Sequence, residues 1–189
     1  MKGQAMEDLT GKKAIVTGGT RGLGAAIVQA LAQAGATVTF TGRNPRSLDL
    51  VRARMASVGA GVLCDMRDRA ALDRLIDTGC DVLINNGSLA TPLGMLDAVD
   101  GDDIDEAIAV NLTGPINAAR RAAKQMAAKG QGTIINISSG AAYRPVSGSA
   151  TYCVTKAVLW LCQHRPEAMA GTDVNVIDPE VCSLMALDG

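Results

Sequence analysis

Lys13-Ala14-Ile15-Val16-Thr17-Gly18-Gly19-Thr20-Arg21-Gly22-Leu23-Gly24 is the stretch that decides the fold. Its first five residues are a short, largely apolar run of the kind that forms a buried strand. Four glycines follow within seven residues, and then a helical pattern begins. From Gly22 to Ala34, Leu23, Ile27 and Leu31 recur on one face, and Gly35 stops the helix. Glycines between a strand and a helix let the backbone turn tightly and approach a pyrophosphate. The helix N-terminus behind them offers free N–H groups and the positive end of its dipole. Gly18, Thr20, Arg21, Gly22, Leu23 and Gly24 are therefore expected to bind a dinucleotide.

The same alternation continues outward. Thr37 to Thr41 is a β-branched strand. Asn44 caps a helix that has Pro45 at its first position and runs to about Ser57. Gly61 to Asp65 reads as a strand, Asp68 to Asp77 as a helix and Asp81 to Asn85 as a strand. A loop spans 87–101. A long helical stretch then runs from Asp102 to about Ala128, bent near Gly114-Pro115. Thr133 to Ser138 is a strand, Thr151 to Gln163 a helix and Val174 to Asp178 a sixth strand. Alternation of this kind gives an α/β fold, a doubly wound parallel sheet in the order 3-2-1-4-5-6, in one dinucleotide-binding domain over 1–189.

Composition narrows the function classes. With 189 residues, 48% hydrophobic and 20% charged, the chain can build a full core and is not a disordered sequence. Aromatics make up 2%, namely Phe40, Tyr143, Tyr152 and Trp160, too few for a base-stacking platform. Eighteen basic against 19 acidic residues, net charge −1, give no reason to expect a nucleic-acid partner. No apolar run is long enough to span a membrane. The start has no apolar signal segment, so the cytoplasm is the expected address. The five cysteines show no C-x-x-C spacing, and with the single His164 they make a poor metal site. They read as reduced, mostly core thiols. Six acids between Asp97 and Glu106 read as a solvated loop and helix start rather than a metal cage.

Two further groups carry chemistry. The second strand ends in Gly42-Arg43, where an acid would hold a ribose 2′-hydroxyl. Arg43 and Arg21 are instead suited to a 2′-phosphate, which favours NADP(H) over NAD(H). Tyr152 and Lys156 stand four apart, on one helical face, and Ser139 precedes them at the end of a strand. A phenol titrates near 10, and bringing it to ~7 takes about 4 kcal/mol. One cation ~4 Å away in a partly screened site supplies roughly that amount.

These motifs, in this order, resemble the short-chain dehydrogenase/reductase family from about Leu9 to Asp178, with a Rossmann-like fold. The family's T-G-x-x-x-G-x-G is matched by Thr17 to Gly24, and its adenine-contacting Asp by Asp65, next to Met66. Its N-N-A-G is matched by Asn85-Asn86-Gly87-Ser88, its mid-helix Asn by Asn111, and its Ser and Y-x-x-x-K by Ser139, Tyr152 and Lys156.

The resemblance implies hydride transfer between nicotinamide and a small carbonyl or alcohol substrate. Tyr152 is then the general acid/base, and Ser139 positions the substrate oxygen. Lys156 lowers the phenol's pKa and holds the nicotinamide ribose, and Asn111 anchors a water in a proton relay. Asp65, Met66, Asn85, Asn86, Gly87, Tyr152, Lys156 and Pro179 are expected on the cofactor with the glycine loop and Arg43. A homo-oligomer is also implied, through the fourth and fifth helices, with Trp160 and Leu161 as candidates for the face.

The chain departs from the family pattern in four ways. The seventh strand and the lid helices have no counterpart. Glu180 follows Pro179 where the family has Gly. The segment from Lys156 to Pro179 is short and carries Pro166 where helix is expected. Asn85-Asn86-Gly87-Ser88 lacks the usual Ala. These departures support an alternative expectation: a degenerate member that binds NADP(H) with weak or no turnover.

Overall fold

The structure is a computed structural model and describes residues 8–54, 59–144 and 146–163. Five parallel strands form one sheet in the order β3-β2-β1-β4-β5. They are β1 (Lys13–Val16), β2 (Thr37–Gly42), β3 (Gly61–Leu63), β4 (Val82–Asn85) and β5 (Thr133–Asn136). The helices are α1 (Gly22–Gln33), α2 (Pro45–Arg54), α3 (Arg69–Asp77), α4 (Gly101–Ile108), α5 (Gly114–Lys129) and α6 (Ala150–Gln163). This is the doubly wound, Rossmann-like arrangement expected, with four strands one or two residues shorter than the apolar runs suggest and β2 one residue longer. The expected sixth strand, Val174–Asp178, lies outside the described residues, as do Pro166 and Pro179.

The central strands β1 and β4 are buried on both faces, and their alternation decides which helix each side chain meets. Ala14 and Val16 of β1 pack with Val28 of α1 and with Leu48 and Val51 of α2. Ile15, between them, faces the opposite side and packs with Leu75 and Ile76 of α3 and Ala118 and Ala122 of α5. The register Ala14↔Val38 and Ala14↔Val82 carries this division across the sheet. Small alanines on α5 let that helix lie close. Arg121 then ties α5 to α3 through paired bonds to Asp77, 2.7 and 2.6 Å long.

Local sequence explains the helix starts. Asp68 caps α3 by accepting from the Ala71 N–H at 2.9 Å, and Asp100 caps α4 through the Asp102 N–H. Asn44 accepts from the Ser47 N–H at the start of α2. Gly130, at φ 69°, closes α5 in the left-handed conformation that glycine adopts freely. The long helix expected over 102–128 is not one element. Its middle, Ala109–Thr113, is a π-helical turn between α4 and α5. The irregularity therefore lies directly before Gly114-Pro115, and the wider turn surrounds Asn111.

Candidate functional site

A cleft of about 730 Å³ opens at the carboxyl end of the strands, where β1 and β4 send their loops to opposite sides. Gly18, Thr20, Arg21, Gly22, Leu23 and Gly24 form one wall. Arg43 and Asn44 after β2 form the floor at one end; Asn86, Gly87 and Leu89 after β4 lie at the other. Met66 and Val110 close the side. Asp65 lines an adjoining recess of about 310 Å³ shared with Arg43.

Backbone approach explains the glycines. Gly18 has φ 67°, and a Cβ there would stand 2.7 Å from the Gly87 Cα. A Cβ at Gly24 would run into the Gly18 carbonyl oxygen and the Asn86 side chain. Only bare backbone lets the loop fold this tightly. No side chain caps α1, whose N-cap residue is Arg21, so its leading N–H groups point to the cleft without a side-chain acceptor. That donor set, with the Arg21 and Arg43 guanidiniums on the rim, fits a phosphate-bearing ligand.

Thr17 brackets the loop to β4. Its buried hydroxyl donates to the Ile84 carbonyl and accepts from the N–H groups of Asn86 and Gly87, at 3.1 and 3.0 Å. Asn86 returns the contact, donating from Nδ2 to the carbonyls of Thr17 and Gly18, both at 3.0 Å. Thr17→Val keeps the shape and removes the acceptor from two N–H groups. It is expected to cost about 2 kcal/mol, read as a lower denaturation midpoint with an unchanged slope.

Asn85 is a correction. The resemblance put it on the cofactor, but it is buried on the far side of the sheet, where Nδ2 donates to the Pro115 carbonyl and to Asn136 Oδ1 at 2.8 Å. Strand alternation is the reason. Asn85 shares the face of Leu83, toward α5, while Asn86 points to the glycine loop. The adenine-side acid is also engaged. Arg67 grips the Asp65 carboxylate through Nε and Nη2 at 3.0 and 2.7 Å, which holds that carboxyl below its ordinary range. Sequence reasoning missed Arg67. It also read Glu106 as solvated, whereas Glu106 accepts from Arg67 and from Arg43.

Ser139, Tyr152, Lys156 and Asn111 do not line the cleft itself; they stand beyond its Leu89 end. Asn111 is the link between the two. Its Oδ1 accepts from the Leu89 N–H at 2.6 Å and its Nδ2 donates to the Leu89 carbonyl at 2.8 Å. Nδ2 also reaches Thr155 Oγ1, at 3.3 Å, and that hydroxyl donates to the Tyr152 carbonyl at 2.9 Å. One side chain thus fixes the cleft loop to the helix that carries Tyr152 and Lys156. Thr155, one residue before Lys156, is a buried link in this chain that spacing alone did not single out.

Lys156 is 3% exposed, and its Nζ donates to the Ile137 carbonyl at 2.8 Å. Burial pushes its ammonium down to about 8. The Nζ lies 5.6 Å from the centroid of the Tyr152 ring, so the two side chains share one helical face and meet through the ring. Ser139 starts a short 3₁₀ turn, Gly140–Ala142, and its Oγ accepts from the Ala141 N–H at 3.2 Å. The hydroxyl proton remains a donor. The loops on either side of this region meet where the Gly94 N–H donates to the Gly148 carbonyl.

Of the cysteines, Cys64 and Cys80 are buried, and burial raises each thiol to about 11, as inert core thiols require. Cys153 is half-buried. Among the described residues, no group of three or more His, Cys, Asp or Glu could hold a metal ion, and no helix is long and apolar enough to cross a membrane.

A family model described as short chain dehydrogenase matches residues 12–183. The chain belongs to the short-chain dehydrogenase family. It is similar to sorbitol dehydrogenase of Cereibacter sphaeroides, 33% identical over 194 residues, covering 96% of this chain and 74% of that protein. Among solved structures it resembles a metagenomic short-chain oxidoreductase in complex with NADP. That match has 35% identity and TM-score 0.77, over 83% of this chain and 74% of the other. A gluconate 5-dehydrogenase from Burkholderia cenocepacia, in complex with NADP and tartrate, matches with 30% identity and TM-score 0.75, over 82% and 64%. The chain thus spans between 64% and 74% of the length of these three proteins. Membership of this oxidoreductase family accounts for the joint presence of a glycine-loop cleft and a buried lysine under a tyrosine ring.

Proposed function

We propose that this chain is an NADP(H)-dependent oxidoreductase that interconverts a small carbonyl compound and its alcohol, with Tyr152 as general acid/base. The observation that carries the reading is the Leu89–Asn111–Thr155–Tyr152 chain of hydrogen bonds, which ties the helix bearing Tyr152 and Lys156 to the Leu89 end of a phosphate-suited cleft. The NADP complexes of two similar structures support the choice of cofactor. When bound, the nicotinamide supplies the hydride donor or acceptor.

The protein's own groups do the rest. The N-terminus of α1 and the glycine loop hold the pyrophosphate, and Arg43 and Arg21 meet the 2′-phosphate. Ser139 donates to the substrate oxygen and fixes its position. The Tyr152 phenol gives that oxygen a proton in reduction and takes it back in oxidation. Lys156, charged at neutral pH, stabilises the phenolate electrostatically. Asn111 spends its side-chain amide on Leu89 and Thr155, so its part in a water relay falls to the backbone of the π-helical turn.

Titrating the protein with NADPH and NADH and following nicotinamide fluorescence tests the cofactor assignment. Binding of NADPH about tenfold tighter than NADH is expected, and that preference should disappear in Arg43→Ala. Equal affinity for the two cofactors in the unaltered protein would refute the assignment.

A further inference from the structure

We infer that Glu106 is a specificity-determining residue: its carboxylate holds Arg43 in an ion pair that a 2′-phosphate must break, and so sets the margin between NADPH and NADH. The inference rests on the NADP(H) reading above and deepens it.

The geometry is a four-residue cluster at the rim of the cleft. Arg67 Nη1 lies 2.8 Å from Glu106 Oε1, and Arg43 Nη1 lies 3.4 Å from that same oxygen. Arg67 is held again by Asp65 through Nη2 and Nε. Two guanidiniums and two carboxylates leave the cluster with no net charge. A 2′-phosphate brings about −1.5 to −2 to it. Of the two arginines, Arg43 is the one that lines the cleft, and it has the longer, single contact. The phosphate therefore takes Arg43 while Glu106 stays with Arg67.

Two penalties follow. The Arg43–Glu106 contact is lost, and the remaining carboxylate faces an anion. The side chains are 47% and 36% exposed, so each effect is damped by solvent. NADH carries no phosphate there and meets neither penalty. Glu106 comes from α4, 63 residues from Arg43 in sequence, and sits outside the strand-end position usually read for cofactor choice.

The test is the dissociation constant of NADPH and of NADH, at one fixed low ionic strength, for the unaltered protein, Glu106→Gln, Glu106→Lys and Arg43→Ala. NADPH is expected to bind about threefold tighter to Glu106→Gln and about tenfold tighter to Glu106→Lys. NADH affinity should stay within twofold in both, which also reports that the cleft is folded. An equal change for both cofactors, no change, or weaker NADPH binding would overturn the role of Glu106. If Arg43→Ala keeps the full preference of the unaltered protein, the placement of the 2′-phosphate is what fails. If Arg43→Ala loses the preference and the Glu106 variants leave it untouched, only the inference about Glu106 fails.

Discussion

Tyr152→Phe is expected to lower the rate of NADPH-dependent carbonyl reduction by about a thousandfold, with NADPH affinity unchanged. The substitution removes one oxygen and keeps the ring. Phe can still lie 5.6 Å from the Lys156 ammonium, and the backbone carbonyl that accepts from Thr155 is untouched. Helix α6 and the Leu89 loop therefore stay where they are. What goes is the proton donor, and positioned acid–base groups contribute about 10²–10⁴ in rate. Parallel stopped-flow and binding measurements would check this. A variant with ordinary turnover would show that the proton comes from elsewhere.

Lys156→Met should also abolish most turnover, yet make the fold more stable at neutral pH. Burial holds the Lys156 ammonium down to about 8, against an ordinary value of 10.5. Below about pH 8 the folded protein carries a buried cation that the unfolded chain keeps in water. The difference costs about 3 kcal/mol. That cost is present in full below about pH 8 and is relieved as the pH rises through 10.5, above which both states are neutral. Met fills the same volume without the charge, but leaves the Ile137 carbonyl without its donor, a loss of about 1 kcal/mol. The net expectation is a gain of about 2 kcal/mol at pH 7 that vanishes by pH 10. Denaturant unfolding of both proteins at pH 6, 7, 8, 9 and 10 measures it. A stability difference that does not vary with pH would mean that the Lys156 ammonium titrates in the fold as it does in the unfolded chain, with no cost of burial. Stability surrendered for a charged group at this position is what a catalytic role would require.

The fold was legible because its signals are local. A strand, a glycine turn and an amphipathic helix fit within Lys13 to Gln33, and five such units fix a parallel sheet. Tyr152 and Lys156 were legible for the same reason, since four residues along a helix return to the same face. The alternation of β4 also held a signal that the motif reading passed over: Asn85 shares the face of Leu83 and so turns from the cleft. The π-helical turn at Ala109–Thr113 has no such local cause. Asn111 is drawn to Leu89, 22 residues away, and to Thr155, 44 residues away. The Arg43–Glu106–Arg67 arrangement is likewise assembled from three loops and helices far apart in sequence. A run of acids read by itself gives solvated charge, and only the placement of α4 beside the loops after β2 and β3 gives Glu106 its partners.

If this cleft and this tyrosine together perform hydride transfer from NADPH, the hydrogen at the cofactor's C4 must reach the product. NADPH deuterated at the transferable C4 position, incubated with the protein and a panel of aldehydes and ketones, shows whether it does. Deuterium is expected on the carbinol carbon of at least one product, and none on the same time scale in Tyr152→Phe. Tight NADPH binding with no deuterium in any product would contradict hydride transfer and leave a protein that holds the cofactor without using it.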